Sequence, residues 1–276
     1  MEKSSILKKT ARAAAVFSAV YAFASSSGFH DRRRWRGLTG WDYAHRGLHD
    51  IKRGIPENSM AAFRAAVAGN YAIELDVRLT ADNRLVVMHD NNLLRMCRVN
   101  KRISHMLLED LSVLRLAGTD QTIPLFSDVL DMVGGRVPLL IEIKAEETSP
   151  SLICPLVWQL LSKYDGPYLI ESFNPLVLLW FRFHQPAVVR GQLSCDFFRE
   201  SPHADIALFL VTNLMTNFLT HPDFISYKYL DMGVPAFILN QKVMHAMTAL
   251  WTIHNRPAYE KYKKKCDIVI FEGFRP

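Results

Sequence analysis

Glu74 and Asp76 stand two residues apart in the run AIELDVRL, which otherwise has the composition of a β-strand. Side chains alternate across a strand, so both carboxylates share one face. Against a packed apolar core each would lose several kcal/mol of hydration, a penalty that a bound cation removes. The run LLIEIK repeats the pattern with Glu142 and Lys144. Three carboxylates on two strands make an all-oxygen ligand set, which suits Mg²⁺ or Ca²⁺ better than zinc. His45 ends the short apolar run WDYAH and His89 ends LVVMH, each followed at once by a charged residue. A lone histidine is ordinarily structural, but two at strand ends beside an acidic pair are candidates for proton transfer.

These residues belong to a longer series. His45-Arg46-Gly47, Pro56-Glu57-Asn58-Ser59 with Ala62-Phe63, Glu74-Leu75-Asp76-Val77, Thr80 with Asp82, Val87 with His89-Asp90, and Glu142-Ile143-Lys144 follow one another in that order. Leu93 with Arg95, Ile123-Pro124-Leu125, Ser172-Phe173 and Trp251-Thr252 extend it toward the C-terminus. Over residues 42–276 this order and spacing resembles the glycerophosphodiester phosphodiesterase family. The resemblance implies a TIM-type (β/α)8 barrel, a divalent cation, and hydrolysis of a glycerol-bearing phosphodiester to glycerol 3-phosphate and an alcohol. On that footing Glu74, Asp76 and Glu142 would hold the metal and His45 and His89 would share the acid and base roles. Arg46 and Lys144 would bind an anionic phosphoryl oxygen, and Glu57 and Asn58 would sit at the mouth of the site. Composition alone equally allows Glu57 and Asn58 as first-turn and capping residues of a helix. A lysophospholipase D or a cyclic-phosphate-forming phospholipase on the same barrel is the nearest enzymatic alternative. A membrane-tethered binding barrel with little turnover is the alternative from another class, and the presence of all three carboxylates argues against it. The closing Phe271-Glu272-Gly273-Phe274-Arg275-Pro276 departs from the family's usual Thr-Asp before a variable residue and proline, so site residues from this loop are not expected.

The elements that must carry these groups alternate. A first strand is expected over residues 41–46, with Pro56-Glu57-Asn58 opening a helix whose Met60, Phe63, Ala66 and Val67 repeat at helical spacing. Between the strands at Ile73 and Val86 stands only TADNR, too short for a parallel crossover. Either these strands form a hairpin or one helical unit of the barrel is absent. Residues 91–120 show mixed polarity and few strand signals, and the resemblance implies an insertion over the rim there; Ser127 reads as the N-cap of a helix that Gly134-Gly135 stops. Beyond the strand at 137–144, helices are expected at 151–164, 175–184, 234–246 and 258–265, and strands at 167–173, 187–193, 223–226, 249–254 and 267–271. Glu171 and Ser172, at a strand end, either join the site or make a rim hydrogen bond. Phe197, Phe198, Phe209, Leu214, Met215, Phe218 and Leu219 in the stretch 194–222 read as core, with an apolar surface toward lipid or an acyl chain as the alternative.

A chain of 276 residues fits one barrel of about 250 residues and leaves no room for a second domain. The net charge of +6 lies wholly in residues 1–36, where eight basic residues face two acidic ones, so residues 37–276 are neutral and give no argument for nucleic acid. No protein partner is implied, and the expected ligand is a small-molecule or lipid phosphodiester. Within the N-terminal segment, residues 13–29 carry no charge but fall short of the roughly 20 that span a bilayer. A marginal anchor or interfacial helix on an anionic membrane surface, a solvent-side helix, and a signal peptide cut near Ala22-Phe23-Ala24 are the three readings. If none of these tethers the protein, a cytoplasmic location is the alternative. Cys97, Cys154, Cys195 and Cys266 are too scattered for a zinc site or a disulfide framework. No P-loop, GxGxxG, GxSxG or HExxH motif occurs.

Overall fold

Strand and helix alternate around a closed barrel in a computed structural model, which describes residues 2–28, 31–200 and 205–276. The strands are β1 (Asp42–Ala44), β2 (Ala72–Leu79), β3 (Leu85–Val87), β4 (Leu139–Ile143), β5 (Tyr168–Ser172), β6 (Arg190–Ser194), β7 (Phe224–Lys228), β8 (Met247–Ile253) and β9 (Ile268–Phe271). All but β3 run parallel in the order β1-β9-β8-β7-β6-β5-β4-β2, and β1 pairs with β2 to close the ring. The TIM-type (β/α)8 barrel expected from the sequence is therefore the fold.

The TADNR turn is a hairpin: β3 runs antiparallel to β2, with Val77 opposite Val87. No helical unit is missing, because the chain still crosses to β4 through the helix Phe126–Val133. The intervening insertion has a small core of its own around Met88, Leu93, Met96, Ile103 and Leu111.

Two apolar layers hold the strands. Outside the barrel, Ile73, Leu75, Val77, Ile141 and Ile143 pack against Phe63 of the helix Met60–Ala68 and against Phe126, Val129 and Val133. Inside, Tyr43, Ala72, Leu140, Leu169, Phe224 and Met247 fill the end where the strands begin, joined by Trp35 and Leu38 from the segment before β1. One step further along β2, β4 and β5, at positions i+2 on the same face, the inward residues are Glu74, Glu142 and Glu171.

Several expected details differ. Pro56, Glu57 and Asn58 precede their helix instead of opening it. Ser59 is the N-cap, its hydroxyl accepting from Ala62 N–H at 3.1 Å. Ser127 lies within its helix, which begins at Phe126 after Leu125 in extended conformation. The stretch at 234–246 is a short α-helix, Pro235–Ile238, continued by a π-turn over Leu239–Val243. Of the seven apolar side chains singled out in 194–222 only Leu214 is fully buried, whereas Phe198, Phe218 and Leu219 are exposed. The core reading of that stretch fails for most of its residues, since its short helices lie over the barrel with little above them; residues 201–204 lie outside the described residues.

The N-terminal helix Glu2–Ser25 is tied to the barrel at its end. Tyr21 Oη donates to Asn213 Oδ1 at 2.8 Å, and the Ser25 carbonyl accepts from the side-chain amides of Asn217 and Asn240 at 3.0 and 2.8 Å. Residues 8–20 are exposed on every side. Phe29, the end of the charge-free run, lies outside the described residues. Among the described residues no helix is long and apolar enough to cross a membrane. All four cysteines are free thiols.

Candidate active site

β2 and β4 lie side by side with Asp76 opposite Glu142, and strand alternation brings Glu74 to the same inward face. Carboxylate oxygens of Glu74, Asp76 and Glu142 all lie within 4.8 Å of one another, and all three residues are buried. Burial, followed by the nearby Asp76, Glu171 and Glu142, holds the Glu74 carboxyl well above the usual carboxylate range. Burial likewise pushes Glu142 up to about 7. Asp76 goes the other way: burial is outweighed by Lys144, His89 and Arg46, which hold it well below its ordinary value. Lys144 Nζ donates to Glu142 Oε1 at 2.7 Å and lies 3.2 Å from Asp76 Oδ1. The cluster is all oxygen and buried, a donor set that fits a hard divalent cation.

His45 follows β1 at the start of a sharp turn. Arg46 and Gly47 both adopt left-handed conformations, with φ of 56° and 80°. A Cβ on Gly47 would come within 2.9 Å of the Ala62 backbone, so only glycine lets the turn pass over that helix. The turn aims the Arg46 N–H at Glu74 Oε2, 2.9 Å away, and leaves His45 Nε2 3.9 Å from the same oxygen. On its other side His45 Nδ1 lies 2.6 Å from Glu272 Oε2. Burial opposes ionisation of Glu272, yet the hydrogen bond to His45 holds its carboxyl down at about 2. Burial also lowers the His45 pKa. A neutral His45 that donates Nδ1–H to this carboxylate presents a bare Nε2 to the cavity.

His89 repeats the arrangement on the opposite wall. Its Nδ1 lies 2.8 Å from Asp90 Oδ1, and its carbonyl accepts from Arg78 Nε at 2.8 Å. Asp90 is in turn gripped by Arg95, through Nε to Oδ2 at 2.6 Å and Nη2 to Oδ1 at 3.1 Å. The same guanidinium donates to both oxygens of Glu57, at 2.9 and 2.7 Å, and Glu57 Oε1 also accepts from Arg46 Nη1 at 2.8 Å. Arg95 thus ties the support of His89 to the support of Arg46. Asn58, fully buried and at a φ of 52°, donates from Nδ2 to Asp76 Oδ2 at 2.8 Å. Glu57 and Asn58 are therefore at the site and do not cap the helix, but their side chains hold Arg46 and Asp76 from behind.

The structure separates Glu171 from Ser172. Ser172 Oγ donates to the Ile143 carbonyl at 2.7 Å, a structural bond between strands. Glu171 points inward, where burial and then Glu142 push its carboxyl up to about 8. With His45, Arg46, Glu74, His89 and Glu142 it lines a deep cavity of about 130 Å³, closed on one side by Phe173, Leu193 and Trp251. A groove of about 680 Å³ lined by Arg78, His89, Asn92, Arg95 and Lys144 adjoins it, with His89 and Phe173 common to both. All nine residues singled out beforehand come together here. The residue missed is Glu272, which the departure of the last loop from the family pattern had discounted. Its signal was present, a carboxylate directly after the apolar strand IVIF.

The family model for the glycerophosphoryl diester phosphodiesterase family matches residues 45–272. The chain belongs to that family. Curated relatives include a putative glycerophosphodiester phosphodiesterase of Bacillus subtilis, 32% identical over 154 residues that make up 52% of this chain and 62% of the relative. The human lysophospholipase D GDPD1 is 32% identical over 153 residues, 51% of this chain and 46% of that protein. The matched part spans about half the length of these curated relatives. Among solved structures, a phosphodiesterase of Oleispira antarctica in complex with the product sn-glycerol-3-phosphate superposes with a TM-score of 0.69 at 21% identity, covering 86% of this chain and 94% of that one. A putative glycerophosphoryl diester phosphodiesterase of Silicibacter pomeroyi gives 0.67 at 19% identity, covering 88% and 94%. At these identities the structural likeness speaks for the fold.

Proposed function

We propose that this chain hydrolyses glycerophosphodiesters to glycerol 3-phosphate and an alcohol. The observation that carries the reading is the pairing of a buried carboxylate triad with two histidines, each backed by a carboxylate on Nδ1, around one small cavity. Mg²⁺ or Ca²⁺ held by Glu74, Asp76 and Glu142 would neutralise charge on the phosphoryl oxygens as a Lewis acid. Arg46, which lines the cavity, and Lys144, which lines the adjoining groove, bind the remaining anionic oxygen by charge-assisted hydrogen bonds. One histidine accepts the proton of the attacking water at Nε2, and the other, protonated, gives a proton to the alkoxide as its bond to phosphorus breaks. The deep cavity takes the phosphoryl group and glycerol, and the adjoining groove takes the alcohol. Membership of the family and the glycerol-3-phosphate complex of the Oleispira protein support this substrate class. Incubation of the full chain with glycerophosphocholine and either metal should release glycerol 3-phosphate, and chelator should stop it. Absence of release with both metals would refute the reading.

A lipid substrate is the second reading, and the exposed N-terminal helix favours it. Val16, Phe17, Val20 and Phe23 are exposed on a helix that also carries Lys8, Lys9 and Arg12. Such a helix gains from lying on an anionic bilayer, through burial of apolar area and about 1 kcal/mol per basic residue near the surface. On this reading the segment keeps the barrel at a membrane, where lysophospholipids are at hand. Co-sedimentation with phosphatidylglycerol vesicles should be strong for the full chain and lost on deletion of residues 1–20, a cut that spares the docked Tyr21 and Ser25. Equal sedimentation of both forms, or of neither, would discard the membrane role. Release of choline from lysophosphatidylcholine would separate the lipid substrate from the soluble one.

A further inference from the structure

Residues 8–28, 172–195 and 206–222 hold no aspartate or glutamate. They include most of the N-terminal helix, the helix Pro175–His184 and the short helix Asn217–Thr220. Apolar side chains of the three meet outside the core. The Phe23 ring, 68% exposed, lies 5.7 Å from the Phe218 ring. Leu219, next to Phe218 and also exposed, gives its carbonyl to the Arg182 guanidinium, which lies 5.5 Å from the centre of the exposed Phe183 ring. An apolar stripe thus runs from Val16 and Val20 through Phe23 and Phe218 to Phe183, with Arg12 beside one end and Arg182 at the other. A single exposed phenylalanine is ordinary, whereas a stripe continuous across three elements marks a contact surface. Apolar area bordered by cations, on elements that carry no acid, is the complement of an anionic bilayer.

We propose that this stripe seats the base of the barrel on an anionic bilayer, together with the N-terminal helix, so that the mouth of the site opens away from the lipid. The inference rests on the membrane reading of that helix and extends it to the barrel. Topology sets the orientation. Phe183 stands at the end of a helix that returns from β5 to the start of β6, and Leu219 stands just before β7, so both lie at the end where the strands begin. The carboxylates and histidines lie toward the other end, beyond the apolar plug. Substrate then arrives from the water: a glycerophosphodiester directly, a lysophospholipid only after it leaves the bilayer.

Co-sedimentation with phosphatidylglycerol vesicles, of the full chain and of its Phe183→Ser, Phe218→Ser double variant, tests the assignment. Both side chains are exposed and lie away from the site, so the variant should keep its melting temperature while binding vesicles at least about fivefold more weakly. Binding within about twofold of the unaltered chain would overturn the proposal. A dimer in light scattering that the double variant dissolves would give the face to a second copy of the chain and overturn it too. Should the variant fail to fold, hydrogen exchange of the unaltered chain decides: vesicles should slow exchange over residues 180–184 and 217–221, and slowing confined to residues 1–25 would refute the docked base. The vesicle-bound chain should keep its KM for glycerophosphocholine within about twofold, and a tenfold rise would mean that lipid covers the mouth and the orientation is wrong. If the full chain binds no vesicles, the membrane reading of the helix fails with this inference, whereas equal binding by the double variant removes this inference alone.

Discussion

The two ends of the barrel interior are built from the same strands, two residues apart. At Ala72, Leu140 and Leu169 the inward positions are apolar and interlock with Tyr43, Phe224 and Met247 into a close-packed plug. At Glu74, Glu142 and Glu171 the same faces carry carboxylates whose pKa values burial raises, with neighbouring carboxylates adding to the shift. One end stabilises the strands and has no chemistry; the other holds like charges together at a cost that the plug and the outer helices offset. The separation explains how a reactive, self-repelling layer can persist in a fold with a continuous core.

Mutations at each end should therefore fail in different ways. Asp76→Ala should abolish metal binding and lower activity by at least about 10⁴-fold, since metal charge stabilisation is worth several kcal/mol, while the thermal melt stays cooperative. Calorimetry and a glycerol 3-phosphate assay read both, and full turnover in this variant would dissolve the distinction. His45→Ala and His89→Ala should each lose roughly 10²- to 10⁴-fold in kcat with metal affinity kept. A loss below tenfold in both would make them structural.

Arg95 sharpens the comparison from the rim. It touches neither cluster but grips Asp90 behind His89 and Glu57 behind Arg46. Arg95→Ala should cost about 10²-fold in kcat/KM by letting two reacting groups drift. Arg95→Lys should recover little, because one ammonium cannot hold both carboxylates bidentately. An unchanged rate in Arg95→Ala would show that the two supports are independent. At the plug, Leu140→Ala should destabilise by about 2–5 kcal/mol through a cavity, with metal affinity shifted less than twofold. Chemical denaturation measures the first and calorimetry the second. A large affinity change would mean that the two layers are coupled.

What could be read from the chain alone was what depends on local periodicity. AIELDVRL and LLIEIK place Glu74, Asp76, Glu142 and Lys144 on one face because a strand alternates whatever surrounds it, and the βα rhythm that agrees with the barrel implied by the resemblance is equally local. The order of motifs added the roles. Tertiary structure decided the rest, because each remaining feature joins residues that strand pairing brings together from distant parts of the chain. Glu272 reaches His45 only because β9 pairs with β1 to close the ring. Glu171 joins the carboxylates only because β5 lies against β4 in a register that sets it beside Glu142. TADNR makes a hairpin, with no helical unit lost, because the crossover is completed some forty residues later by the helix Phe126–Val133. The exposure of residues 8–20 depends on which barrel surfaces the helix meets, a fact about non-local contacts that no window of sequence contains.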